Sequence, residues 1–306
     1  MRMRFWIGVG CLAVAAILFA YRGSIVGYVS ERWDKRELPA AVSYEEVREE
    51  VAAGGDNFLL RNSPPPEADR ARRPLPEATP APRTGSDSPR TEITPPTATS
   101  EGEGYELTAE FNLAVPFTVQ APFAVWDELH EDACEEASVM MVDAFYKGRT
   151  FTPGPADQEI MAIVDWETQV LGHWEDATAD ETARILREKY GYSKVSVFEN
   201  PSIDDIKREI VQGHPIIVPA AGRLLGNRYF TPPGPVYHML VVRGWTKDGM
   251  IITNDPGTKR GEGYLYKQEV LMNAIHDWTP PLASGGGTGS DETIEQGRKV
   301  MIVVEK

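Results

Sequence analysis

The 306-residue chain has two cysteines, and only Cys134 lies outside an apolar N-terminal stretch. It sits in EDACEEASVMMVDAFYKG, residues 131–148, at about the second residue of a predicted helix. There the unpaired backbone N–H groups and the positive end of the helix dipole favour a thiolate, the nucleophilic form. A cysteine at such a place is also often just a small buried residue. A thiolate enzyme needs a base, normally histidine, and a group that orients it. His238 opens an apolar strand just after FTPPGPVY, and Asp255 ends the next strand in ITNDPG. Together the three residue types could attack an amide carbonyl, form a thioester and hydrolyse it. One difficulty is register. A simple hairpin closed at Asp248-Gly249 puts Asp255 opposite Val242, roughly 13 Å along the strand from His238. The pairing therefore requires a wider turn, a bulge or strong twist. His130 (a loop), His173 (a helix end), His214 (before a proline) and His276 (a polar helix face) have weaker claims.

The elements that must position these residues can be read from capping and periodicity. Asp132 with Glu135 three residues on reads as an N-cap, and Ala137, Met140, Met141, Ala144 and Phe145 recur at helical spacing up to Lys147-Gly148. A second helix is predicted over about 157–171. Thr178 with Glu181 opens a third, ending at Tyr190-Gly191, and Ser202 caps a fourth that stops at Gly213. KVSVF (194–198) and PIIVPA (215–220) read as strands, and YHMLVVRGWTKDGMIITND (237–255) as two strands around a Lys-Asp-Gly turn. A helix near 267–277 and a closing strand KVMIVVE complete the set. The loop ASGGGTGSDET lacks the Gly-Lys-Ser/Thr of a phosphate cradle and reads as a surface connection. Helices precede strands, so the fold class is α+β with a mostly antiparallel sheet. Leu224, Leu225, Tyr229 and Phe230 lie in the loop entering the His238 strand, where they either line a cleft or cover the core. Trp126, ahead of the cysteine helix, and Tyr237, beside His238, are assigned with Tyr229 and Phe230 to substrate binding.

The stretches VPFTVQAPFAVW…DACEEASVMMVDAFY, GHPIIVPAAG and YHMLVVRGW-TKDG-MIITNDPGT resemble the papain-like cysteine peptidases. Within them the chain is similar to the group related to bacteriocin-processing, double-glycine leader peptidases, over about 112–280. The resemblance implies a cysteine-bearing helix packed on a sheet that carries the histidine and aspartate. It implies Cys134 as nucleophile, His238 as base and acid, Asp255 as orienter, and Gln120 as oxyanion donor beside the backbone N–H of Cys134. No metal or organic cofactor is required. The chain departs from the pattern at Glu135, where glycine is common. A carboxylate there would oppose thiolate formation, and the capping box is expected to turn it back to the Asp132 N–H.

Six of the ten residues 127–136 are acidic, which suits a subsite for basic side chains, a calcium site or a solvated helix edge. After residue 105 there are 31 acids and 18 bases, a net −13, which disfavours nucleic acid as a partner of this part. Residues 5–21 form a 17-residue uncharged run, roughly 25 Å as a helix, behind Arg2 and Arg4. Segment 1–30 is thus expected as a signal anchor, 31–61 as a short solvated helix region, and 62–105, with ten of the 24 prolines, as a disordered linker. Residues 106–306 form the peptidase-like domain. The expectation is a single-pass, membrane-anchored, extracytoplasmic cysteine hydrolase acting on a peptide or protein. A double-glycine leader is not the expected substrate, since the chain shows no transporter segments. The alternatives are an inactive module binding peptide or cell wall, and a cell-wall amidase.

Overall fold

The structure, a computed structural model, describes residues 38–52, 108–279 and 291–306. The apolar segment 5–21 and the Pro-rich stretch 62–105 lie outside the described residues, and among those described no helix is long and apolar enough to cross a membrane.

Helix α1 (Tyr44–Ala52) starts with the Ser43/Glu46 box, Ser43 N donating to Glu46 Oε2 at 2.8 Å. Most of its residues are exposed, and one face docks on the rest of the fold. Val47 is buried, and the Tyr44 ring packs edge-on against Phe145 and Tyr146, with centroids 5.9 and 4.9 Å away. Just upstream, Val42 N donates to Asn112 O and Ala114 N to Val42 O. Residues 38–52 therefore belong to the folded unit. A stripe of two apolar residues, Tyr44 and Val47, was too short to announce this docking.

After β1 (Phe111–Asn112) come the one-turn α2 (Glu128–Glu131), the cysteine helix α3 (Cys134–Lys147), α4 (Pro153–Val170) and α5 (Ala179–Arg184), which runs on as a π-turn. Then follow β2 (Lys194–Glu199), α6 (Ile203–Val211), β3 (Ile216–Ala221), the short α7 (Gly222–Leu225), β4 (Tyr237–Trp245), β5 (Met250–Asn254), β6 (Tyr264–Lys267), α8 (Gln268–Ala274), α9 (Asp291–Ile294) and β7 (Val300–Glu305). The expected capping boxes at Thr178/Glu181 and Ser202/Asp205 are both present.

The strands make one seven-stranded sheet, order β2-β7-β3-β4-β5-β6, with β1 also on β4 and every pairing antiparallel. The α+β class with an antiparallel sheet is therefore as expected. β3 and β4 are buried along their whole length, which explains their unbroken apolar runs. α3 packs against β4 and is itself buried on all sides from Cys134 to Tyr146. Its interior acid Asp143 is neutralised by Lys147 at 2.8 Å and Arg149 at 2.6 Å.

Candidate active site

The β4–β5 hairpin carries the histidine and the aspartate, and its register answers the difficulty met in the sequence. Trp245 lies opposite Ile251, Gly244 opposite Ile252, and Val242 opposite Thr253, so Arg243 is an extra residue, a β-bulge. The turn is also one residue wider than a closure at Asp248-Gly249. Continued past Val241↔Asn254, this register sets Asp255 level with Leu240, a diagonal neighbour of His238 on the same face. The bulge is built in. The Arg243 guanidinium is buried and donates to Asn112 Oδ1 at 3.0 Å and to Val115 O and Asn254 Oδ1 at 3.1 Å. Beside it β1 crosses so closely that a Cβ on Gly244 would lie 2.1 Å from Phe111 O. No residue but glycine fits there.

His238 Nε2 lies 2.8 Å from Asp255 Oδ1. Asp255 is fully buried and also accepts from Gly257 N (3.0 Å), Asn227 Nδ2 (2.8 Å) and Tyr266 Oη (2.5 Å). Burial alone would raise its pKa. The His238 charge and the bonds from His238, Tyr266 and Asn227 outweigh that and hold the carboxyl below its ordinary range. An ionised Asp255 can only accept, so the imidazole proton sits on Nε2 and Nδ1 is left basic. The Phe230 ring stands edge-on to the imidazole at 5.2 Å, and Gly257 has no room for a side chain: a Cβ there would lie 2.9 Å from His238 Cε1.

Cys134 is the first residue of α3, and its sulfur accepts from Met239 N, next to His238, at 3.2 Å. The structure thus gathers Cys134, His238 and Asp255 in one place. The expected capping box is absent. The N-cap is Ala133, with no side-chain bond, and Asp132 N donates to Leu129 O. With its backbone partner taken, Glu135 turns the other way, and the Cys134 thiol donates to Glu135 Oε2 at 3.0 Å. Both residues are buried. Burial first, then the Glu135 charge and hydrogen bond, then Glu136 and Asp176, push the thiol well above its ordinary pKa. The helix dipole expected to favour a thiolate is outweighed.

Gln120 lies beside this group, but its amide N–H groups donate to His130 O at 2.9 Å and Glu131 O at 2.8 Å. Two carbonyls fix which end is nitrogen, and neither N–H is left for an oxyanion. The implied donor role is thus corrected to that of a clamp on the loop leading into α3. The first-turn N–H of Cys134 has no acceptor within the helix.

A cleft of about 700 Å³ opens above the site, and Gln120, Trp126, Tyr229, Phe230, Tyr237 and His238 all line it. Cys134, only 4 % exposed, lies beneath this wall and is not part of it. The cleft's acids are Glu131, Asp132 and Asp176, the last pushed up to about 7 by burial and then by Asp132 and Glu175. The other histidines are engaged elsewhere: His130 with Asp127 and Asp157, His173 with Glu181, His214 with Glu209, and buried His276 with Ala274 O. His276 was expected on a polar helix face. It follows α8 instead and is covered. No group of three or more His, Cys, Asp or Glu that could hold a metal occurs among the described residues. Sequence reasoning missed Asn227 and Tyr266. Their only signal was polar atoms in the apolar loop and in an unrecognised strand.

The profile of the Peptidase_C39-like family matches residues 112–280, that is 169 of 306 residues. The chain belongs to the Peptidase_C39-like family. As a member it is a cysteine peptidase. A Bacillus anthracis protein classed as a C39-like peptidase overlaps with a TM-score of 0.38 at 14% identity, covering 63% of this chain and 95% of that one. A fragment of Prevotella intermedia prointerpain A overlaps at 0.30 and 16% identity, covering 50% of this chain and 42% of that one. Neither overlap is close enough to carry an argument. No curated protein matches the chain.

Proposed function

We propose that this C39-like peptidase cleaves peptide bonds with Cys134 as nucleophile, His238 as base and acid, and Asp255 as the residue that orients His238. The reading rests on one observation. Residues from the start of α3, the start of β4 and the end of β5 meet, through the 2.8 Å His238–Asp255 bond and the sulfur seated 3.2 Å from Met239 N.

Nδ1 of His238 takes the thiol proton, and the sulfur attacks the carbonyl carbon. The oxyanion forms beside the backbone N–H of Cys134, and Gln120 fixes the approach loop. His238 then gives its proton to the leaving amine. A water activated by the same imidazole releases the acid from the thioester. Trp126, Tyr229, Phe230 and Tyr237 form the walls against which the peptide lies. Attachment to a membrane with the peptidase domain outside the cytoplasm is part of the proposal. It rests on the uncharged run 5–21 alone.

The test is hydrolysis of a mixed peptide library by the full chain, read by mass spectrometry. Cys134→Ala or His238→Ala should lower cleavage by about 10⁴-fold or more. Cleavage that survives Cys134→Ala at the wild-type rate refutes the assignment.

A further inference from the structure

Glu135 is a titratable group in contact with the sulfur that the mechanism above does not use. Its Oε2 is the acceptor of the thiol at 3.0 Å, and its Oε1 has no hydrogen-bond partner among the described residues. It is 1 % exposed. A carboxyl group has two faces toward a sulfur. Ionised, it can only accept, and it keeps the proton on the thiol. Protonated, it can donate, and it stabilises a thiolate.

Resting on the assignment of Cys134 as nucleophile, we propose that Glu135 is a protonation-dependent catalytic residue: its neutral carboxyl donates to the Cys134 thiolate, and its ionised form locks the thiol shut. When Glu135 is neutral, the thiol proton passes to His238 Nδ1 and the carboxyl O–H turns onto the sulfur. When Glu135 loses its proton, a thiolate would stand next to a carboxylate in a buried site, and the proton stays on sulfur.

The surroundings favour the neutral form. Glu136, from the same helix, faces Glu167 of α4, and the two carboxyls can bond only if one holds a proton. Asp176, from the loop before α5, and Asp132, from the loop before α3, add negative charge from the cleft side. β4 contributes Tyr237, whose hydroxyl donates to Ala177 O, and His238, backed by Asp255 of β5. Burial, then Glu136 and Asp176, raise the Glu135 carboxyl well above its ordinary range.

The experiment is the second-order alkylation rate of Cys134 by iodoacetamide against pH 4–10 in the full chain, located by peptide mapping. The wild type is expected to react fast on the acid side, to slow at least 10-fold as Glu135 ionises, and to recover only in strong alkali. Glu135→Gln, a permanent donor, should remove the falling limb and stay fast to pH 9. Glu135→Met, with no proton to lose, should also lack that limb. A wild-type rate that only rises with pH, or a Glu135→Gln profile superimposed on the wild type, overturns the proposal. If neither variant folds, the wild-type limb alone decides. His238→Ala separates the two levels. If it leaves the rate unchanged, the Cys134–His238 assignment fails. If it slows alkylation while the Glu135→Gln and wild-type profiles coincide, only the Glu135 proposal fails.

Discussion

Tyr266→Phe removes the hydroxyl that donates to the buried Asp255 carboxylate and, with it, an acceptor of Asn227 Nδ2 at 3.0 Å. The hydroxyl reaches Asp255 Oδ2 at 2.5 Å, and Asn227 Nδ2 would be left as the sole donor to that oxygen. A hydrogen bond to a charged buried group is worth about 1.5–3 kcal/mol. At about 1.4 kcal/mol per pH unit, a loss of about 2 kcal/mol raises the Asp255 titration by about 1.5 units. A domain of this size loses about 2–4 °C per kcal/mol, so Tm should fall by about 4–8 °C at pH 7. The pH dependence carries the sharper test. Asp255 is held below its ordinary range, so its ionised bonds stabilise the fold above the unfolded pKa and are lost as pH falls through the folded one. The variant has less to lose, and the gap in stability between it and the wild type should narrow as pH drops below 4. Urea unfolding at pH 3–8 measures both quantities. A Tyr266→Phe curve lying on the wild-type curve at every pH would refute the claim that this hydroxyl supports the Asp255 charge.

Other outcomes follow from the same geometry. Gly257→Ala would put a methyl group 2.8 Å from Phe230 Cε1 and 2.9 Å from His238 Cε1. It should leave Tm within a few degrees but lower kcat by about 10² through displacement of the imidazole; unchanged kcat counts against that packing. Glu167 is pushed up to about 8, by burial first and then by Glu135 and Glu181 against the opposing bond from Glu136. Its folded pKa lies above its unfolded one, so folding binds a proton. Stability is then greatest below about pH 5 as far as this group is concerned, and it declines until about pH 8. Glu167→Gln should flatten that decline in a series of thermal melts, and an equally steep decline would contradict the reading.

The sequence made the elements around the site legible because each had its own local signal. Alternation marked β2, unbroken apolar runs marked β3 and β4, and side-chain caps marked α5 and α6. What it hid was set by contacts far along the chain. The bulge that brings Asp255 to His238 is held by Arg243 bonding to Asn112, 131 residues upstream. Tyr266 joins the site only because β6 pairs with β5. The capping pattern Asp132/Glu135 was present as letters, yet Leu129 O had taken the Asp132 N–H, and the free carboxyl turned to the sulfur. The helix-dipole argument for Cys134 was local as well. Glu136, Asp176 and full burial, which reverse its sign, are properties of the packed site.

The most direct test of the central claim is covalent labelling of the full chain by a peptidyl acyloxymethyl ketone, with the site found by mass spectrometry. The account expects one adduct on Cys134, none in Cys134→Ala, and labelling slowed at least 100-fold in His238→Ala and Asp255→Ala. Labelling of Cys134 at the rate of an ordinary free thiol, unchanged by either substitution, would contradict it.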